Sequence, residues 1–151
     1  MAADKDMLEE LFRLQTSLND YIFNKKGLQD KDGRPLTMSR LMQSAAENEL
    51  GPNSDTNVWL SKFLQALNDE SREVSEELLW KWWSKDTLNM ENIREEIVDQ
   101  LHFWISLALA SGMNAKDVFE CYLRKNKVNI ERQNQDYSKS AKHETDHNQV
   151  S

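Results

Sequence analysis

Apolar residues return along this chain at steps of three and four, the period of an α-helix. Leu8, Leu11, Gln15, Leu18 and Ile22 form one such stripe, with a single amide in it, and predict a first helix over about 5–24. The polar stretch KKGLQDKDGRP reads as a linker, TMSRLMQSAAENEL as a short helix, and GPNSD as the turn that closes it. Trp59, Phe63, Leu67, Val74 and Leu78 mark the buried side of a long helix over about 56–83. After a short connection, SKDTLN, another helix is expected over about 91–111. Its second half, LHFWISLALA, is apolar nearly all round, as for a helix at the centre of a bundle. Gly112 stands where a terminating C′ glycine belongs. Asn114, with Asp117 three residues later, opens the last helix, which carries DVFECYLRKNKVNIERQNQDY.

Breakers support the same reading. Gly27, Gly33, Pro35, Gly51 and Pro52 fall in one window, and only Gly112 lies outside it. Runs of β-branched residues are absent, so the expected fold class is all-α, a helical bundle of about five helices. A length of 151 residues fits one domain, taken as 1–137, with residues 25–56 as a linker and short helix of unassigned role. Residues 138–151 have almost nothing to bury and read as a disordered polar tail. His143 and His147 in that tail have metal-ligand spacing, which a floppy segment seldom uses.

A formal net charge of -7 speaks against a nucleic-acid backbone binder, which needs a cationic surface. It leaves room for one anionic ligand that arrives with metal ions. The single cysteine, Cys121, excludes an internal disulfide and suits a reducing compartment. The N-terminus lacks a signal-like apolar stretch, and FWISLALA falls far short of the roughly 20 residues a membrane span needs. A soluble intracellular protein is expected.

The acids carry the first chemistry. Residues three and four apart are neighbours on a helix, so Glu70, Glu73 and Glu77 form one row. Glu70 follows Leu67 by three and precedes Val74 by four, so it borders the apolar side, whereas Glu76 points elsewhere. In EIVDQLHF, Glu96 and Asp99 are three apart among Ile97, Val98, Leu101 and Phe103. Buried carboxylates need a cation or a proton. If the two helices pack side by side, Glu70, Glu73, Glu96 and Asp99 meet, and an all-oxygen set suits Mg²⁺, with Mn²⁺ as a substitute. If they do not, these are ordinary surface acids.

Two polar patterns remain. Tyr122, Asn126, Asn129 and Gln133 step along one face of the last helix, with Lys125, Asn129 and Arg132 adjoining. Such donors could hold a polyphosphate beside a carboxylate-metal cluster, or simply be a solvated face. Gln15 and Asn19, one turn apart, could read the edge of a planar base or form a structural amide pair.

These stretches resemble the dimeric all-α dUTPases, members of the MazG-type nucleoside triphosphate pyrophosphohydrolase superfamily. The superfamily pattern EExxE…ExxD appears as Asp69-Glu70-Ser71-Arg72-Glu73 and Glu96-Ile97-Val98-Asp99, with Asp in place of the first Glu. WKWW (Trp80 to Trp83), VDQLHF, YLRKNKVNIERQNQDY and LQTSLND resemble the branch's further motifs, in the same order. The last-helix motif ends in Asp136-Tyr137 where the family has Gly-Tyr. The resemblance implies that Glu70, Glu73, Glu96 and Asp99 coordinate magnesium, with Glu70 or Glu73 activating the water. It gives Lys125, Asn129 and Arg132, with Tyr122, Asn126 and Gln133, to the phosphates. It gives Gln15, Asn19, Trp82 and Phe103 to the uracil, and it has His102 orient neighbours and not act as a base. The implied activity is hydrolysis of dUTP to dUMP and pyrophosphate, with dUDP as a further substrate, in a homodimer whose subunits share active sites. Two other readings stay open: a related hydrolase for dCTP or a damaged nucleotide, and a non-catalytic acidic helical interaction module.

Overall fold

The structure, a computed structural model, describes residues 4–48 and 50–135. Among them are five helices and no strand: α1 (Met7–Lys25), α2 (Met38–Ala45), α3 (Asp55–Glu77), α4 (Met90–Ala110) and α5 (Ala115–Asn134). The all-α expectation holds. The tail, its two histidines and Asp136-Tyr137 lie outside the described residues. The chain divides into two compact units, Met1–Met113 and Asn114–Ser151.

The helices begin where a side chain can satisfy an orphaned backbone N–H. Asp6, Thr37, Ser54 and Asn89 each accept from the backbone N–H three residues on. Asn114 and Asp117 form a reciprocal capping box at the start of α5. Gly112 adopts φ +91° and closes α4 with a Schellman motif, in which its N–H donates to Leu109 O and that of Met113 to Ala108 O. Gly27, at φ +62°, ends α1 in the same way.

In the first unit, the core is built from Phe12, Phe23, Leu36, Met38, Leu41, Phe63 and the second half of α4, including Ile105, Ala108, Leu109 and Ala110. Phe23, Trp59 and Phe63 stack in sequence, with ring centroids 5.0 and 5.5 Å apart. The α1 stripe shares a face, but that face is not the one that meets the core. The helix buries Phe12, Gln15, Asn19 and Phe23, whereas Leu11, Leu18 and Ile22 are exposed. This helix carries apolar residues on two faces, and the bulkier phenylalanines take the core. Leu11, Leu14 and Leu18 instead line a groove with Val98, Leu101 and Ile105 of α4.

Residues 30–38 are held by side-chain hydrogen bonds. The Asp30 carboxylate is buried and accepts from the backbone of Asp32 and Arg34 and from the Arg34 guanidinium, with Arg40 3.5 Å away. The backbone bond from Arg34, ahead of the neighbouring cation, holds the Asp30 carboxyl below its usual range. This knot sets up α2, whose Met38 N–H donates to Asp20 at 2.7 Å. The segment therefore buttresses α1 beside Asn19.

A further correction concerns the long helix. It ends at Glu77, with Leu78 extended, so Trp80 to Trp83 lie in the connection 78–89 and Leu78 is exposed. Five of the six positions of LLWKWW are apolar, so as a helix it would set large side chains on every face and not on one. Aromatics also lose rotamer freedom in a helix.

Gly112→Ala should cost about 1–2 kcal/mol, because L residues are strained at this φ and the added methyl would sit 3.2 Å from Ala45 Cβ. Gly51→Ala, with open space around it, should change stability little. Urea unfolding of the two variants checks the contrast; equal midpoints would refute it.

Candidate active site

Helices α3 and α4 run antiparallel. Ser71 Oγ donates to Gln100 Oε1 across them at 2.9 Å. This register sets the row of α3 acids against those of α4. Glu70, Glu96 and Asp99 each place one carboxylate oxygen within 4.8 Å of the others. Glu73, from the next turn of α3, acts on both Glu70 and Glu96. The four acids lie together, the arrangement expected if the two helices pack side by side.

The enclosure differs from expectation. Ile97 and Val98 are exposed and shield nothing, and Asp99 is exposed as well. The α3–α4 contact itself buries one oxygen of Glu70 and one of Glu96, both Oε2, and neither has a hydrogen-bond partner. Burial first, then the charges of Glu73 and Asp99, push the Glu70 carboxyl above its usual range. Glu96 moves the same way, through burial first and then Glu73, Asp99 and Glu70. Arg72 does not relieve this crowding, because it turns outward to Asp69 and Glu76. Asp69, the first acid of the motif, is thus occupied with Arg72. Glu76 is exposed surface, and Glu77 is half-buried one turn along. Orphaned carboxylate oxygens, all hard donors, fit a divalent cation.

The same stripe of α4 continues into a second feature. His102 is three residues past Asp99, and Ser106 four further on. His102 Nδ1 lies 2.7 Å from Gln15 Oε1. Gln15 Nε2 donates to Asn19 Oδ1 at 2.9 Å, and Asn19 Nδ2 to Ser106 Oγ at 3.0 Å. Gln15 and Asn19 are thus buried and bonded to each other. Neither His102's contact nor any part for Ser106 followed from the sequence. The available signal was a lone serine in the otherwise apolar run FWISLALA, four residues after a histidine.

The other expected base residues are placed differently. Phe103 is half-buried on α4 beside His102. Trp82 is 88% exposed and stands edge-on to Trp83 at 5.6 Å, so within one chain it packs on neither amide. In the second unit, α5 carries Tyr122, Asn126, Asn129 and Gln133 as exposed residues, with Lys125 and Arg132 half-buried.

The family model described as dUTPase matches residues 7–116. The chain belongs to the dUTPase family, and with it to the nucleotide pyrophosphohydrolases. It is also similar to the dCTP pyrophosphatase of Enterobacteria phage T4, at 28% identity over 136 residues, covering 68% of this chain and 80% of that protein. The dCTP pyrophosphatase of Enterobacteria phage LZ5 is 27% identical over 128 residues, covering 65% of this chain and 74% of that protein. No solved structure matches the chain. No helix among the described residues is long and apolar enough to cross a membrane.

The raised carboxyls make stability depend on pH and cations. Each holds its proton longer in the fold than in the unfolded chain. Stability therefore falls as pH rises from the ordinary glutamate range, about 4.3, through the raised values. In the absence of divalent cations, Glu70→Gln should flatten this fall as pH rises from about 4.3 toward neutrality. Mg²⁺ should raise the melting temperature of the wild-type protein at the higher pH, and that of the variant much less. An unchanged pH slope in Glu70→Gln, followed by calorimetry, would argue against like-charge crowding.

Proposed function

We propose that the protein hydrolyses a pyrimidine deoxynucleoside triphosphate, dUTP first, to the monophosphate and pyrophosphate. One observation carries the reading: α4 presents a carboxylate cluster and a buried amide network on one continuous face. From Asp99 to Ser106 is seven residues, a rise of about 10 Å, enough to separate the phosphate end of a nucleotide from its base. In this proposal Glu70, Glu73, Glu96 and Asp99 hold Mg²⁺, or Mn²⁺ in its place. A bound cation supplies a more acidic attacking water and offsets charge gathering on the phosphate oxygens. Glu70 or Glu73 orients that water and takes its proton. Crowding raises the Glu70 carboxyl, and a raised carboxyl is a better base. Lys125, Asn129 and Arg132, with Tyr122, Asn126 and Gln133, bind the phosphates. Gln15 and Asn19 read the base edge, and Phe103 and Trp82 stack on it. Hydrolysis of dUDP fits the same site.

A second substrate reading is favoured by the names of the relatives: dCTP, on which the phage proteins act. The family description favours dUTP. Both are pyrimidines of one size, so the cluster chemistry is common to them.

A second copy of the chain completes the proposed site. Leu11, Leu14, Leu18, Ile97 and Val98 are each at least 41% exposed and form an apolar surface beside the amide network, which water penalises. Trp82 points outward and is free to cover a base in a partner copy.

Glu73→Ala should lower kcat/KM for dUTP by about 100-fold or more, measured by pyrophosphate release with Mg²⁺ across dUTP, dCTP, dUDP and dTTP. Undiminished turnover would remove Glu73 from the mechanism. No turnover of any nucleotide, with no Mg²⁺-linked rise in melting temperature, would favour a non-catalytic interaction module instead. The wild-type chain should sediment as a homodimer and Leu11→Glu as a monomer with reduced turnover. A monomeric, fully active wild type would dismiss the shared site.

A further inference from the structure

The direction of every hydrogen bond in the amide network can be worked out from one group. The backbone carbonyl of His102 can only accept, so the Ser106 hydroxyl, 2.8 Å away, donates to it. That hydroxyl has one proton. Ser106 Oγ must therefore accept from Asn19, which places the Asn19 amide nitrogen at that end. The same nitrogen faces Met38 Sδ at 3.6 Å. Asn19 Oδ1 then points to Gln15 and accepts from its Nε2. Gln15 Oε1 is left facing His102 Nδ1, so Nδ1 carries the proton and the other ring nitrogen is the acceptor. Reversing the Gln15 amide would set oxygen against oxygen at Asn19 and would force the His102 ring to move its proton from Nδ1 to Nε2. Both amides are only 6% exposed, so water cannot relieve the clash at Asn19. Each unmet buried bond is worth about tenfold in an equilibrium.

The allocation leaves Gln15 one N–H and one lone pair, side by side and in a fixed order. Gln15 and His102 both line the groove between α1 and α4, with Leu14, Leu18 and Leu101. Uracil and cytosine have nearly the same shape. They differ in order along one edge: uracil offers a donor at N3 and an acceptor at position 4, whereas cytosine offers an acceptor and then a donor. An amide that cannot turn matches one of them and meets the other donor to donor and acceptor to acceptor.

Resting on the reading of Gln15 and Asn19 as base-reading residues, we infer that Ser106, acting through Asn19, and His102, through its Nδ1 proton, are the positioning residues that set the direction of the Gln15 amide and thereby the choice between uracil and cytosine. Ser106 holds the same direction from the other end. His102 touches neither base nor phosphate in this role and takes no proton from the attacking water.

The test combines a spectrum with a ratio. Long-range nitrogen–proton correlation on the neutral ring should show the His102 proton on Nδ1; a proton on Nε2 overturns the inference whether or not the protein turns over any nucleotide. For activity, kcat/KM is measured for dUTP and dCTP with Mg²⁺ in the wild type, His102→Leu, His102→Asn and Ser106→Ala. His102→Leu and Ser106→Ala should narrow the dUTP to dCTP ratio by about tenfold or more. His102→Asn, whose amide nitrogen can stand where Nδ1 stands, should keep it. A ratio unchanged in His102→Leu and Ser106→Ala overturns the inference, as does a ratio lost equally in His102→Asn and His102→Leu. If His102→Leu does not fold, Ser106→Ala and His102→Asn decide alone. Failure of the wild type to turn over either nucleotide refutes the proposed function, and the specificity role with it, while the tautomer remains independently measurable.

Discussion

Four carboxylates facing one another across the antiparallel pair α3 and α4 are the constraint around which the first unit is arranged. Like charges at this range repel, and two of the oxygens have lost water without gaining a partner. A chain seeking stability alone would put a lysine or arginine into the row. Here Arg72, the cation nearest in α3, is turned away to Asp69 and Glu76. Apolar packing elsewhere must hold the helices in register despite the repulsion. The Phe23–Trp59–Phe63 stack and the Ser71–Gln100 contact both tie α3 to its neighbours. The strain is local, and it is the kind a cation relieves.

Helix α4 then transmits this placement. Glu96, Asp99, His102 and Ser106 follow at steps of three, three and four, so one rigid element fixes the distance from the acids to the amide network. The pairings Gln15 with His102 and Asn19 with Ser106 show α1 running alongside α4 in the same direction. α2 and the Asp30 knot support α1 from behind, through Met38 against both Asp20 and Asn19. A segment with no motif of its own thus holds the amides in place.

Much of this was legible because helix geometry turns sequence spacing into position. Acids at Glu70, Glu73, Glu96 and Asp99, the cap at Asn114 and the glycine at Gly112 all fell where their spacing put them. The leucines of α1 share a face, as their spacing indicates, but periodicity does not say whether that face meets the chain's own core. Leu11 and Phe12 lie on different faces of one helix, and only packing volume decides between them. The tryptophans were placed on a helix because their run continues from one without a glycine or proline. Their crowding, which breaks the pattern, is a subtler signal. The network through Ser106 was invisible for another reason. It joins residues 87 apart in sequence, and no local rule connects them.

The divergence between a family described as dUTPase and relatives named dCTP pyrophosphatase has a compact physical basis in this arrangement. Metal ligation and phosphate transfer do not depend on which pyrimidine is attached, so the carboxylate cluster can be shared unchanged. Pocket shape cannot separate two bases of the same outline, since a hydrophobic wall discriminates weakly between isosteres. Hydrogen-bond order can, because a reversed edge leaves two buried polar groups unmet. A glutamine amide is nearly symmetric in shape and antisymmetric in hydrogen bonding, so turning it over exchanges the preferred base without moving any backbone. What must then differ between a uracil site and a cytosine site is the group that holds the amide. In this chain the amide is held through Asn19 by Ser106, with a histidine one turn from the carboxylates at its other end.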